Sequence, residues 1–270
     1  MSNELVTVLM PVLNGELFIE KSILSIVNQT IQSHICIIDN GSTDRTIEIV
    51  LNLSNIYPQI EILHESKKGI SNALNCGLKN SKTKYIARLD SDDLMEPLRL
   101  ERQLDFLENH MNYALVGSQI EFIDSNGNAS GISKYPVSSK LIDFSLNFKN
   151  PLAHPSVMFN RTYALEAGSY DHKFDGAEDL DLWLRLRKFG KFGNINIPLT
   201  KYRLHQYQVS SQNNLYKNEL DVRYKQLRSN VISLKLIAVI LNILRITDLI
   251  LIINNVFFHR KIFNKSWIAH

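Results

Sequence analysis

Apolar positions along the chain follow two alternating periods. Leu5-Val6-Thr7-Val8-Leu9-Met10, His34-Ile35-Cys36-Ile37-Ile38, Ile60-Glu61-Ile62-Leu63 and Tyr85-Ile86-Ala87-Arg88-Leu89 are short and β-rich. Nearly continuous runs of this length suit strands buried on both faces. Between them, Ile19, Ile23, Ile26 and Val27, and then Ile47, Val50 and Leu51, recur at helical spacing, and 69–80 reads as a third helix. This alternation predicts an α/β fold with a mostly parallel central sheet flanked by helices and right-handed crossovers. The first strand is expected to stop at Pro11, the second at Asp39 and the fourth at Asp90. Ligands of such sheets lie outside the carboxyl ends of the strands. Three polar segments, 11–14, 39–42 and 90–93, are therefore expected to meet at one crevice.

A helix is predicted from Pro97 to about Asn109, followed by short strands at 114–117 and 121–123 and a turn at Asn126-Gly127-Asn128. Ala153-His154-Pro155-Ser156 precedes another apolar run, and a further helix is expected from Glu178-Asp179 to Gly190. Beyond residue 230 the composition changes. Residues 231–244 and 249–258 are mostly Ile, Leu and Val, interrupted by Lys235, Arg245 and Asp248. No uncharged run reaches the roughly 18–20 residues of a spanning helix. Lys235, Asn242 and Arg245 share one side of a helical wheel, and the tail mixes His259, Arg260, Lys261 and Lys265 with Trp267. The expectation is a helical C-terminal extension, 216–270, lying at a membrane interface. The alternative is a helical pair packed on the core or on a second copy in a homo-oligomer.

The 270 residues allow one large domain, or one domain with an appendage. A hydrophobic share of 44% and a charged share of 21% argue against a disordered or fibrous chain. Thirty basic against 27 acidic residues leave +3, too little for a nucleic-acid partner. Two cysteines, Cys36 and Cys76, exclude a disulfide scaffold and fit a reducing compartment. Met1-Ser2-Asn3-Glu4 has no basic, then apolar, secretory pattern, so the expected location is cytoplasmic or peripheral on the cytoplasmic membrane face.

Asp90-Ser91-Asp92-Asp93 is the sharpest local signal. Three carboxylates within four residues repel one another and resist burial, and a divalent cation would neutralise them. Hard oxygen ligands suit Mg²⁺ or Mn²⁺, ions that also bind substrate phosphates. The plain alternative is a solvated turn in which Asp92 or Asp93 caps the next helix. Asp39-Asn40-Gly41-Ser42-Thr43-Asp44 places another acid at a strand end, with Ser42 or Thr43 expected to cap the following helix.

Taken in order, residues 6–14, 39–46, 69–75 and 89–93 resemble glycosyltransferase family 2, the inverting nucleotide-sugar transferases of GT-A fold. Its P-x-x-N, D-[DN]-G-S-x-D and L-D-x-D-D segments recur here at matching separations, and the likeness spans roughly 5–210. The resemblance implies a catalytic domain over 1–215, with a nucleotide-binding half at 1–110 and an acceptor-binding half at 111–215. It implies that the backbone of Pro11, Val12, Leu13 and Asn14 borders the base and that Asp39 hydrogen-bonds it. Asp90 would lie near the ribose, with Ser91 beside it. Asp92 would bind the Mn²⁺ or Mg²⁺ that bridges both phosphates, and Asp93 would face the donor sugar or support the site from behind. Asn40 replaces the commoner Asp, a change expected to matter little. Leu74 stands near the position of a usual Arg, so no phosphate contact is expected there.

The segment 177–186 resembles the family's E-D motif, which implies Asp179 as catalytic base, with Glu178 as the fallback. Acids opening a helix can also serve only its dipole. Tyr202-Arg203-Leu204-His205-Gln206-Tyr207-Gln208 is similar to a closing Y-R-x-H-x-x-Q segment. It implies His205 as a metal or diphosphate ligand and Arg203 as a phosphate partner, although a basic surface loop would read the same way. His154 lines the acceptor site or makes a structural turn. The expected activity is transfer of a hexose or N-acetylhexosamine from a UDP-sugar to a saccharide acceptor, lipid-diphosphate-linked, in bacterial surface polysaccharide synthesis. A sugar nucleotidyltransferase would need a Gly-rich basic loop that Pro11–Gly15 lacks. A non-catalytic scaffold would be expected to have lost the acids.

Overall fold

The computed structural model describes residues 5–206, 219 and 221–223. All of them belong to the unit Met1–Arg223. The extension expected at 216–270 lies almost wholly outside the described residues, as do Tyr207 and Gln208.

The first half follows the strand–helix alternation. In order come β1 (Val6–Val12), α1 (Ile19–Val27), β2 (His34–Asp39), α2 (Thr46–Ile56), β3 (Ile60–His64), α3 (Ile70–Asn80) and β4 (Tyr85–Arg88). β3, β2, β1 and β4 lie side by side and all pair in parallel. Pro11 does not end β1; it pairs with Ile38 inside the strand. The reason is the direction of its missing N–H. The carbonyl of Leu9 accepts from Leu89 on the β4 side and that of Val12 accepts from Asn40 on the β2 side. Alternation puts the Pro11 nitrogen on the β4 side, where the β4 ladder has already ended at Leu9↔Arg88.

The second half is mixed. It contains β5 (Leu94–Met95), α4 (Arg99–Asn109), β6 (Tyr113–Ile123), β7 (Ala129–Ile132), α5 (Ser139–Leu146), β8 (Met158–Asn160), α6 (Arg161–Glu166), α7 (Glu178–Leu186) and β9 (Lys191–Arg203). The sheet runs β3-β2-β1-β4-β8-β6-β9-β5, with β7 on β6. β8 is antiparallel to both β4 and β6, whereas β6 and β9 are parallel. The two short strands expected at 114–117 and 121–123 are one strand, whose register with β9 shifts through bulges. α7 stops at Leu186, four residues short of the Gly190 expected, and 187–189 form a turn.

Strand alternation divides the core into two layers. Leu9, Cys36, Ile38 and Ile86 face α3 (Ala73, Leu74, Leu78) and α7 (Leu180, Trp183). Val8, Met10, Ile35, Ile37 and Ala87 face α1, α2 and α4. Leu74 is fully buried in the first layer, so the residue at that position supports the sheet.

Candidate active site

The loops after β1 and β2 are fastened to each other. Asn14 takes a left-handed backbone, φ 56°, one that Asn tolerates better than most residues. Its N–H donates to Ser42 Oγ (3.0 Å), and its Oδ1 accepts from Thr43 N (2.8 Å). Gly15 N donates to Thr46 Oγ1 (2.8 Å) and Glu16 N to Asp44 Oδ2 (3.1 Å). Ser42 and Thr43 therefore do not cap α2, which begins at Thr46 with Arg45 at the cap position. They join the segments 11–14 and 39–44 into one rim.

Asp39 closes β2, buried, in register with Val12 on one side and His64 on the other. Its carboxylate accepts from Ser42 N (2.9 Å) and Gly41 N (3.2 Å), and His64 Nδ1 lies 3.0 Å away. Burial pushes its pKa up, but the hydrogen bonds from Ser42, His64 and Gly41 outweigh burial and hold the carboxyl below its usual range. Asn40 is not a neutral replacement for Asp. Its Nδ2 donates to the carbonyls of Glu65 and Lys67, both at 2.8 Å, and its Oδ1 accepts from Gly69 N (2.9 Å). A carboxylate at 40 could not donate either bond.

The acidic turn after β4 is held from three sides. Ser22 of α1 donates to the Ser91 carbonyl (2.8 Å), and Ser25 accepts from Met95 N (3.0 Å). Arg88, 1% exposed, donates to Asp90 Oδ1 (2.6 Å). Arg203, 2% exposed, gives its backbone N–H to Asp93 Oδ1 (2.8 Å) and its Nε to the Asp92 carbonyl (2.8 Å). Its Nη1 reaches the carbonyls of Asp124 and Ser125, and its guanidinium sits 4.6 Å over the Phe18 ring. His205 Nε2 lies 2.8 Å from Asp92 Oδ2, its ring beside Phe18. Asp92 and Asp93 therefore do not cap α4, which begins six residues later at Arg99.

Carboxylate oxygens of Asp90, Asp92 and Asp93 lie within 4.8 Å of one another. Asp93 is completely buried, and its Oδ2 has no hydrogen-bond partner among the described residues. Burial, then the charges of its two neighbours, raises the Asp93 pKa well above the ordinary carboxylate value. Burial and Asp90 raise that of Asp92 against the opposing His205. Crowded anions, an orphaned buried oxygen and an all-oxygen donor set with one imidazole at hand fit a hard divalent cation. Asp92 and His205 are the pair in direct contact.

At the start of α7, Glu178 is buried. Its Oε2 accepts from Gly176 N (2.6 Å), and His154 Nδ1 lies 3.6 Å from Oε1. His154 is held in turn by the Tyr170 hydroxyl (3.2 Å) and the edge of Trp183. Burial raises the Glu178 pKa, but His154 and Gly176 bring it below the usual value. Asp179 behaves oppositely. Its Oδ2 accepts from Asn150 Nδ2 (2.6 Å) and its Oδ1 from Leu180 N (2.7 Å). Burial, with the Glu178 charge added, pushes it up to about 6 against His154 and these donors. The two adjacent carboxylates are thus driven in opposite directions, Glu178 below and Asp179 above the usual carboxylate value.

Arg88, Arg99 and Asn150 are site residues that sequence reading passed over. Arg88 left a signal, a lone charge inside an apolar strand. Its Nε and Nη1 are buried without partners among the described residues, and both Asp90 and Glu178 act on its charge. Arg99, completely buried, ties the Arg88 carbonyl (2.6 Å) to that of Pro155 (2.7 Å) and to Thr200 Oγ1 (2.9 Å). Asn150 left no local signal, because its partner is 29 residues away.

Comparison with known proteins bears on the family and the fold. The model of "Glycosyl transferase family 2" matches residues 7–168. An O-antigen biosynthesis glycosyltransferase of Escherichia coli, WbnJ, is 33% identical over 208 residues, 75% of this chain and 80% of its own. Among solved structures, Staphylococcus aureus TarS in complex with UDP-GlcNAc superposes with a TM-score of 0.66 at 16% identity, over 82% of this chain and 66% of that one. The Pyrobaculum calidifontis mannosyltransferase PcManGT, in complex with GDP-Man and Mn²⁺, gives 0.62 at 17% identity, over 84% and 64%. At such identities the structures speak for the GT-A fold, while the family match and the sequence relative settle kinship: the chain belongs to glycosyltransferase family 2 and is a glycosyltransferase.

Proposed function

We propose that the chain is an inverting, divalent-metal-dependent transferase. It moves a hexose or N-acetylhexosamine from a UDP-sugar to a hydroxyl of a saccharide acceptor, lipid-diphosphate-linked, in bacterial surface polysaccharide synthesis. The observation that carries this reading is the gathering of Asp90, Asp92 and Asp93 within 4.8 Å at the sheet edge where β1 and β2 end.

The rim of 11–14 and Asp39 receives the base, with Asp39 kept ionised as an acceptor. Asp90 faces the ribose, aimed by Arg88, with Ser91 at the crest of the turn. Asp92 and His205 hold Mn²⁺ or Mg²⁺, and Asp93 supports them from behind. Bound there, a dication supplies charge neutralisation for the departing diphosphate. Arg203 is the proposed phosphate partner, and its Nε and Nη1, which donate to the backbone of the acidic turn and of 124–125, also shape that turn.

Asp179 takes the proton from the acceptor hydroxyl as that oxygen attacks the anomeric carbon on the face opposite the leaving group. A positioned base of this kind contributes on the order of 10²–10⁴ in rate. Glu178, ionised and locked to His154 and Gly176, steadies the start of α7. Among the described residues no helix is long and apolar enough to cross a membrane. In this reading residues 231–258 and the basic–aromatic tail contact the cytoplasmic membrane face, where a lipid-linked acceptor lies. UDP release from a panel of UDP-sugars, with and without Mn²⁺, tests the donor and metal. Release that is indifferent to Mn²⁺ and to chelator would overturn the metal assignment.

A further inference from the structure

Asn150 Nδ2 donates to Asp179 Oδ2 at 2.6 Å, across 29 residues of chain. We propose that Asn150 is a positioning residue for transfer: its side-chain amide fixes the rotation of the Asp179 carboxylate and favours the ionised form. This rests on Asp179 being the base.

A terminal carboxylate torsion is broad and nearly two-fold, so an unheld Asp would present its oxygens in several directions. Leu180 N, the other donor to Asp179, belongs to the next residue of the same helix and cannot by itself aim the group from outside. Asn150 can, because its own loop is anchored. Its Oδ1 accepts from Leu152 N (3.3 Å). Asn194 of β9 donates to the Pro151 carbonyl (3.1 Å), and Leu152 is buried in the core. A donor fixed on such a segment holds its acceptor with little freedom. The amide is also the right chemistry. A Ser would be too short, and a Lys would drive the carboxyl far below the range of a base at neutral pH.

The groups acting on Asp179 from other sides are few. Glu178 shares its helix and disfavours its charge, while His154 on the 154–156 turn favours it. The Tyr135 and Tyr170 hydroxyls feel the Asp179 charge, and burial drives both pKa values up, so both stay neutral across the working range. Asn150 is thus the one neutral side-chain donor, among the described residues, that touches the base.

The test uses the full chain labelled with ¹³C at Asp carboxyls, the Asp179 resonance being the one lost in Asp179→Asn. In Asn150→Ala the titration midpoint should rise by about one pH unit. In Asn150→Asp, which keeps the shape and the Leu152 contact but exchanges the donor for a like charge, it should rise further. With the donor found by UDP release, kcat should fall about tenfold or more at neutral pH while donor KM stays within about twofold. Binding of UDP with Mn²⁺ should match wild type and certify the fold. An unmoved Asp179 midpoint in both variants, or wild-type kcat in both, overturns the inference. Full transfer by Asp179→Asn instead overturns the assignment of the base itself, a distinguishable result.

Discussion

At the residue scale, the two acids opening α7 differ because their surroundings differ, and the proposed base is Asp179 alone. Asp179 sits at about 6, raised by burial and Glu178, and must be ionised to accept a proton. With Asp179 as the proposed base, transfer should fall as pH drops through about 6, losing roughly tenfold per unit below it, read as UDP release with acceptor present. Asp179→Asn should bind donor normally and transfer at least about 10²-fold more slowly, read as UDP release with acceptor present. Asn40 gives a stability counterpart. Asn40→Asp replaces an amide that donates to Glu65 and Lys67 with a group that cannot. Two carbonyls lose their donor, and the variant should be less stable by about 1–3 kcal/mol in urea unfolding. The acids themselves were legible in the sequence, because three carboxylates in four residues at a strand end are conspicuous. Asn150 and Arg99 were not, since their meaning depends on partners that only the fold brings near. The role of Asn40 is equally hidden in the sequence, because its donors serve carbonyls more than twenty residues away.

At the element scale, the site is assembled from chain ends that neighbouring elements grip. β1 and β2 deliver their loops side by side because they pair in parallel register through Val12↔Asp39. The Asn14–Ser42–Thr43 bonds then join the loops. Asn14→Ala removes the acceptor for Thr43 N and leaves a β-carbon at φ 56°. It should cost about 1–2 kcal/mol and raise donor KM with little change in kcat, by thermal melting and initial rates. The parallel half was readable from hydrophobic period alone, Pro11 excepted, because its strands are buried on both faces. The second half was not. β8 contributes three residues to the sheet and β5 two, too few to show a period, and the bulges of β6 and β9 interrupt alternation.

At the scale of the whole molecule, two halves built on different strand patterns share one sheet, and β4 and β8 join them in antiparallel register. Arg88, at the end of β4, lies on that seam, bonded to Asp90 and acted on by Glu178. The proposed membrane contact belongs to residues 231–258 and the tail, outside the family match at 7–168. Truncation after residue 228 should therefore release the protein from the membrane fraction while UDP release to a soluble acceptor continues; a truncated protein that stays in the membrane fraction would place the contact elsewhere. In the proposed function the acidic turn holds a dication, which in turn holds the nucleotide. Calorimetric titration of UDP with Mn²⁺ into wild type and Asp92→Ala should show Mn²⁺-dependent binding by the wild type, lost with chelator and in Asp92→Ala. Equal binding by the two proteins, or binding without metal, would rule out a metal site at Asp92.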